Sequence, residues 1–211
     1  MERTITQLEV QQKNKKRVSV YLDDRYAFSL SIFAAARLGS GQRLTEEAVE
    51  TLEREDLEER AYEAAVRFLG YRARSVREMR QYLSQKRYPA PCRDKIITKL
   101  QGQNYLNDQE FSRLWIEDRR RLNPKGTWAL KQELLQKGIT DDMIDTALAH
   151  YDEEEAAWTA LIPKLRQWEN ADPETLKKKI YGFLSQRGFS YDTTLAMVDR
   201  ALSEKEQVNN L

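Results

Sequence analysis

Cysteine and histidine are almost missing from this 211-residue chain, with Cys92 and His150 the sole examples. One cysteine excludes an intrachain disulfide, and one of each leaves no Cys/His zinc site. Glycine and proline are scarce, at 8 and 5 residues. Neither a Gly-rich phosphate loop nor a nucleophile elbow is present, and little interrupts long helices. No run approaches the roughly 18 apolar residues of a membrane span. The start Met1-Glu2-Arg3-Thr4 has no apolar signal-peptide core, so a cytosolic protein without membrane association is expected. Asp23-Asp24 and Glu153-Glu154-Glu155 are paired acids without a partner cluster, and turn chemistry and compensation of a helix dipole account for them. His150 stands at a helix end, where a cationic imidazole is favoured. A helical hydrolase would need a convergent acid, metal or nucleophile set that is lacking here. No catalysis and no cofactor are expected.

Charge and repetition are abundant instead. Charged residues make up 33% of the chain and mean hydropathy is −0.77, the composition of a soluble helical protein. One phrase occurs three times, from Arg74 to Tyr88, from Lys125 to Ile139 and from Thr175 to Phe189. Met79, Leu130 and Ile180 fall in register, as do Leu83, Leu134 and Leu184, then Lys86, Lys137 and Arg187, then Tyr88, Ile139 and Phe189, at spacings of 51 and 50 residues. A period near 50 marks supersecondary units that bury apolar faces against their neighbours and present an extended surface to a large partner.

The region before the repeats reads differently. Ile5, Leu8 and Val10, then Val18, Val20 and Leu22, then Tyr26, Phe28 and Leu30 give three short strands, the last two joined at Asp23-Asp24 as a hairpin. Gln11 to Lys16 reads as a loop. Three short strands cannot form an independent core, so this sheet leans on the helices that follow. Gly39-Ser40-Gly41 breaks the chain, and Thr45 before Glu46-Glu47 caps a helix start. Each repeat then reads as three helices. In repeat one they run from about Asp56 to Gly70, Ser75 to Lys86 and Cys92 to Gln101, with Ser75 and Glu78 as a capping box. Repeat two starts near Asn107, restarts near Lys125-Gly126 and ends with Thr140 to His150. Repeat three covers Asp152 to Trp168, restarts at Asp172-Pro173 and closes with Tyr191 to Leu202. Lys137-Gly138-Ile139 and Arg187-Gly188-Phe189 end the second helices with glycine at the left-handed cap. Arg87 holds that position in repeat one. The fold class is therefore mainly α, an elongated, curved array of three three-helix units behind a small N-terminal β element. The expected domains are 1–58, 59–105, 106–151 and 152–203, with a polar tail at 204–211.

Charge is unevenly divided. Arg60 to Tyr105 holds 11 Lys/Arg against 3 Asp/Glu, whereas Leu106 to Tyr151 holds 7 against 8 and Asp152 to Ser203 holds 7 against 9. A single basic repeat points to a polyanion or an acidic protein surface as partner. Arg77 and Arg80 share a face at i, i+3, with Arg72 and Arg74 on the turn before them. The alternative is a solvated helix face partly neutralised by Glu78. Arg119-Arg120-Arg121 is a second basic knot, at most two of which can face one partner, and Glu117 and Asp118 offer internal pairing as a rival. Lys177-Lys178-Lys179 reads as a wet helical face. Tyr62, Phe68, Phe111, Trp115, Trp158, Phe183 and Phe189 recur at core spacing, while Tyr71, Trp128 and Trp168 are less bound to a core.

With these residues the chain resembles the RecX family, the regulators of the bacterial RecA recombinase. Repeat one matches the signature of the family through Leu69, Arg72, Arg74, Ser75, Glu78, Leu83 and Lys86, with Met79 where leucine is usual and Arg87 where glycine is usual. The join between repeats matches through Tyr105-Leu106-Asn107-Asp108 and Phe111, and repeat two through Gly126, Leu130, Glu133, Leu134, Lys137-Gly138-Ile139, Ile144, Ala147 and Leu148. Repeat three matches more loosely. The resemblance implies a non-enzymatic inhibitor that lies in the groove of the RecA filament on DNA, bridges protomers and depresses ATP hydrolysis and strand exchange; the filament on single-stranded DNA is the expected partner of a monomer, with weak direct DNA contact as an addition. Arg72, Arg74, Arg77, Arg80, Lys86, Arg119, Arg120 and Lys125 are the candidate contacts. The chief rival is a direct DNA-binding protein of tandem helix-turn-helix type, since a basic second helix in a three-helix unit also looks that way.

Overall fold

Alternation of apolar and polar side chains shapes the N-terminal region into a sheet with one buried face. The computed structural model describes residues 2–209. Strands β1 (Glu2–Val10), β2 (Arg17–Leu22), β3 (Arg25–Ser31) and β4 (Arg43–Thr45) form an antiparallel sheet in the order β3-β2-β1-β4. Ile5, Val18, Val20, Leu22, Phe28 and Leu30 are buried together with Leu44 and Val49. Asp23 and Asp24 both take positive φ, 50° and 64°, which is what a two-residue hairpin loop following the twist of its strands requires. The sheet has four strands rather than the expected three. The extra one, β4, is three residues long, and its pairing with Glu2–Thr4 comes from tertiary contact that no local pattern announces.

Helix α1 (Ile32–Ala35) follows β3. Helix α2 (Glu46–Leu69) is one unbroken rod capped by the Thr45 side chain, so the first helix of repeat one continues straight out of the N-terminal element. No Gly or Pro interrupts that stretch. Asp56, where a second start was expected, lies within the helix, and its buried carboxylate receives other donors. Arg17 reaches it through Nη1 and Nη2 at 2.5 and 3.0 Å, the backbone N–H of Ser31 donates at 3.1 Å, and Arg60 Nε lies 3.0 Å away. Arg17 also donates to the Ser29 carbonyl at 2.8 Å. This carboxylate pins the sheet to α2.

Helices α3 (Val76–Gln85) and α4 (Ala90–Gly102) complete repeat one. Phe68 stacks on Tyr82 with ring centroids 4.0 Å apart. Ala61, Ala65, Leu83, Ile96, Ile97 and Leu100 are buried. The chain through Arg72 together with Arg80–Gly102 forms one compact unit, and Ala73–Met79 with everything from Gln103 onward forms another.

The second unit holds repeats two and three. Helices α5 (Asp108–Leu122), α6 (Thr127–Gln136) and α7 (Asp141–Leu148) bury Phe111, Ile116, Leu130, Leu134, Ile139 and Ile144. Helices α8 (Glu153–Gln167), α9 (Pro173–Gln186) and α10 (Tyr191–Asn209) bury Leu161, Leu176, Ile180, Leu184, Phe189 and Val198 among others. Caps at Asn107, Asp152 and Asp172 are made by their own side chains. Helix α10 runs past Leu202 to Asn209, so the expected polar tail is helical from 204 to 209 and its last two residues lie outside the described ones. Lys205 Nζ donates to the carbonyls of Glu169 and Ala171 at 2.8 and 2.5 Å, which holds this extension against the α8–α9 corner.

Candidate functional site

The starts of α3 and α6 and the ends of α6 and α9 lie at points where repeats meet. At its start, α3 uses the capping box read from the sequence, with Ser75 Oγ accepting from Glu78 N at 3.1 Å and Glu78 accepting from Ser75 N at 3.4 Å. Ser75 Oγ donates onward to the Lys137 carbonyl at 2.7 Å, and Val76 N–H donates to Asp108 at 2.8 Å. One repeat later, Gly126 N–H donates to the Arg187 carbonyl at 3.0 Å and Thr127 N–H to Glu153 at 2.7 Å. Glu153 also accepts from the hydroxyls of Thr127 and Thr193, both at 3.0 Å. Both junctions thus have the same parts, a helix start, the carbonyl that ends the next second helix, and an acid at the first position of the next first helix. Burial pushes the Asp108 carboxyl above its ordinary value, against the bond from Val76, with Glu78 adding to the rise.

Glycine at the left-handed caps serves this approach. Gly138 and Gly188 have φ of 84° and 74°. A Cβ on Gly138 would stand 2.7 Å from Arg77 Cδ, and one on Gly188 would stand 2.5 Å from Ala129 Cβ. The neighbouring repeat passes directly over each turn.

The candidate cations divide by the carboxylates within reach. Arg119 Nε and Lys125 Nζ lie 2.7 and 2.5 Å from Glu133, which also accepts from Trp115 Nε1 at 2.8 Å. Burial raises the Glu133 carboxyl, but these three donors outweigh it and leave it below the ordinary carboxylate range. The Arg119 guanidinium and Lys137 Nζ sit 4.4 and 4.9 Å from the Trp115 ring, and Lys137 pairs with Glu78 at 2.6 Å. Arg119 and Lys125 are therefore brought together as internal struts of repeat two. Arg120 is exposed and pairs with Glu117 at 2.9 Å, and Arg121 with Asp118 at 3.6 Å. Tyr151, whose hydroxyl donates to the Lys125 carbonyl at 2.7 Å, has its pKa pushed up to about 12, chiefly by burial.

The repeat-one cations are more outward. Arg72, Arg77, Arg80 and Lys86 are exposed and Arg74 is half-buried. Arg80 pairs with Asp94 of α4, whereas the Arg77 stem packs over Gly138. Lys86 lies 5.8 Å from the Tyr82 ring. Arg87, read from the sequence as the residue at the left-handed cap of repeat one, takes φ 64° there and is exposed. Of the uncertain aromatics, Tyr71 and Trp128 are 84% and 67% exposed, while Trp168 packs edge-on against Phe183. Among the described residues no group of His, Cys, Asp and Glu is arranged to hold a metal ion, and no helix is long and apolar enough to cross a membrane.

Comparison with known proteins gives four matches in chain order. The models described as the RecX N-terminal domain and as the first, second and third three-helix domains of RecX match residues 3–45, 61–100, 107–148 and 152–196. The chain is similar to "Regulatory protein RecX" of Bacillus pumilus, 35% identical over 205 residues that span 95% of this chain and 76% of that one. It is 31% identical to the protein of the same name from Bacillus subtilis, over 96% and 79% of the two chains. A solved structure, "Crystal structure of regulatory protein RecX", superposes with a TM-score of 0.71 at 26% identity, covering 93% of this chain and 99% of that one.

Proposed function

The chain belongs to the RecX family of regulatory proteins, and from that premise we propose that it binds the RecA filament assembled on single-stranded DNA and restrains its ATP hydrolysis and strand exchange. It acts without catalysis or cofactor, as a cytosolic monomer. Repeats two and three serve as a braced scaffold, and repeat one supplies the charged contact.

The observation that carries this reading is the isolation of positive charge in repeat one. Its excess of 11 Lys/Arg over 3 Asp/Glu is displayed on Arg77, Lys86 and Arg87, all exposed, with Arg72 and the Asp94-paired Arg80 exposed beside them. In repeat two, Arg119 and Lys125 face Glu133 instead. One basic unit on an otherwise mildly acidic chain suits a composite target better than bare nucleic acid. Phosphate contacts alone would make binding fall with salt at a logarithmic slope of ~0.7 per phosphate on single strands, whereas several weak contacts made together on one assembly outlast that loss.

The direct test is a salt series on preassembled RecA filaments and on naked single-stranded DNA. Binding to the filament is expected to persist at a salt concentration where binding to naked DNA is no longer detectable. Equal salt sensitivity would favour direct DNA binding through the basic second helix.

A further inference from the structure

We propose that the turn ending α3, Lys86-Arg87-Tyr88, is an unoccupied copy of the socket by which repeats two and three receive their neighbours, and that it takes an acidic protein segment of the partner. This inference rests on the filament-binding reading above and names the chemistry of one of its contacts.

The three turns share a backbone design. Tyr88, Ile139 and Phe189 N–H groups donate to the carbonyls of Leu83, Leu134 and Leu184 at 3.2, 3.1 and 3.2 Å, and Arg87, Gly138 and Gly188 N–H groups donate to Ser84, Leu135 and Ser185 at 2.8, 2.9 and 3.0 Å. A cation precedes the left-handed residue each time. In repeat two, Lys137 holds the Glu78 carboxylate at 2.6 Å while its carbonyl takes the Ser75 hydroxyl at 2.7 Å. In repeat three, Arg187 holds the Asn123 side-chain oxygen at 2.5 Å and the Pro124 carbonyl at 3.3 Å while its own carbonyl takes Gly126 N–H. The chain itself therefore shows what this turn binds, an oxygen-bearing loop just before or within the first turn of a helix.

Repeat one has no earlier repeat to fill its socket. Lys86 and Arg87 are exposed, and among the described residues no ion pair is made by either. The side chain of Arg87 changes what can enter. At Gly138 and Gly188 an added Cβ would meet the incoming side chains at under 3 Å, so a neighbour that close cannot pass over Arg87. The incoming segment must be met at the end of long side chains, by two cations. That selects a carboxylate over a carbonyl oxygen, and it gives a contact that forms and releases more readily than the permanent junctions. A protein carboxylate is favoured over a phosphate because the filled copy with an ionic contact, Lys137 on Glu78, binds one.

The test uses the full-length chain carrying K86E/R87E, and a second variant, K86Q/R87N, in which asparagine tolerates positive φ and the charge is removed without reversal. Circular dichroism first establishes that each is folded. Affinity for preassembled RecA filaments is expected to drop about tenfold or more in K86E/R87E and less in K86Q/R87N, as for loss of a charge-paired contact at an interface. The salt slope on naked single-stranded DNA is expected to stay as in the wild type. An equal loss on filament and naked DNA, with a shallower slope, would assign the socket to phosphate and overturn the proposal. Unchanged filament affinity in folded variants would also overturn it, while leaving the filament reading intact. Failure of the wild type to bind filaments at all would instead remove the filament reading.

Discussion

The second helices of repeats one and two end in the same turn, each with a lysine before the left-handed residue, yet they meet opposite fates. Lys137 is paired with Glu78 and overlaid on Trp115, whereas Lys86 is exposed beside Tyr82. Arg119 and Lys125 in repeat two likewise converge on Glu133, whereas Arg77 in repeat one stands outward. Residue type does not separate a strut from a contact. What separates them is whether a carboxylate held by the fold lies within reach. A half-buried cation with such a partner is part of the scaffold. An exposed one on a unit poor in acids is available to another molecule.

The contrast can be broken by removing the carboxylates that define the inward class. Asp56 accepts from Arg17, Arg60 and Ser31 while almost wholly buried, and Asp56→Ala leaves Arg17 facing an empty site. A loss of about 3 to 5 kcal/mol is expected, read from the denaturant midpoint. A loss below about 1 kcal/mol would mean that the sheet and α2 are held by apolar packing alone. The Gly188→Ala variant combines a left-handed φ with a 2.5 Å approach to Ala129, so its cost is strain plus overpacking, about 2 to 4 kcal/mol. Glu133→Ala removes the acceptor of three donors from a partly exposed site and should cost about 2 kcal/mol. It also liberates Arg119 and Lys125. If the partner responds to cation count, filament binding rises in this variant. If it responds to placement, binding does not improve.

Two smaller effects sharpen the same comparison. Arg87→Gly, at the position equivalent to Gly188, should raise stability by about 1 kcal/mol by relieving the left-handed arginine. A shift of the denaturant midpoint in the opposite direction from Gly188→Ala is the expected signature. The pH dependence should also divide. The folded-state pKa of Glu133 is lowered from 4.5, so its contribution is fully present above that value and is lost as pH falls through the folded pKa. The folded-state pKa of Asp108 is raised from 3.8, so its contribution is present below that value and is lost as pH rises through the folded pKa. Glu133→Gln should flatten the acid limb of the stability profile, and Asp108→Asn should remove a component of opposite slope.

Features written within a few neighbouring residues were legible in the sequence. The capping box Ser75/Glu78, the start at Asp172-Pro173, the Asp23-Asp24 turn and the left-handed glycines were all of this kind, because caps and turns are satisfied by side chains three or four positions away. The hidden features depend on distant partners. Strand β4 exists because Arg43–Thr45 meets Glu2–Thr4. Asp56 looked like a helix start because aspartate favours that role, and its partner Arg17 lies 39 residues earlier. The basic knot at Arg119 could be weighed against Glu117 and Asp118, but Glu133 is 14 residues further on, in another helix. The excess of charge in repeat one needed no partner to be seen, so that part of the candidate site was visible from counting alone.

One detail of the junctions bears on the order in which the chain is made. Helix α6 has no side-chain cap of its own at Gly126, and its first N–H groups are satisfied by the Arg187 carbonyl and by Glu153. The first turn of α3 similarly depends on Asp108 and the Lys137 carbonyl. Repeats one and two are thus finished by residues that leave the ribosome after them. A nascent chain that has emerged only as far as Ala149 has the apolar core of repeat two but not the groups that close the start of α6. Locking then travels backwards, from the last repeat toward the first, while synthesis runs forwards. The chain should remain easiest to digest around residues 123–127 until the α9 turn at Arg187 has emerged, a stage that stalled translation intermediates would expose.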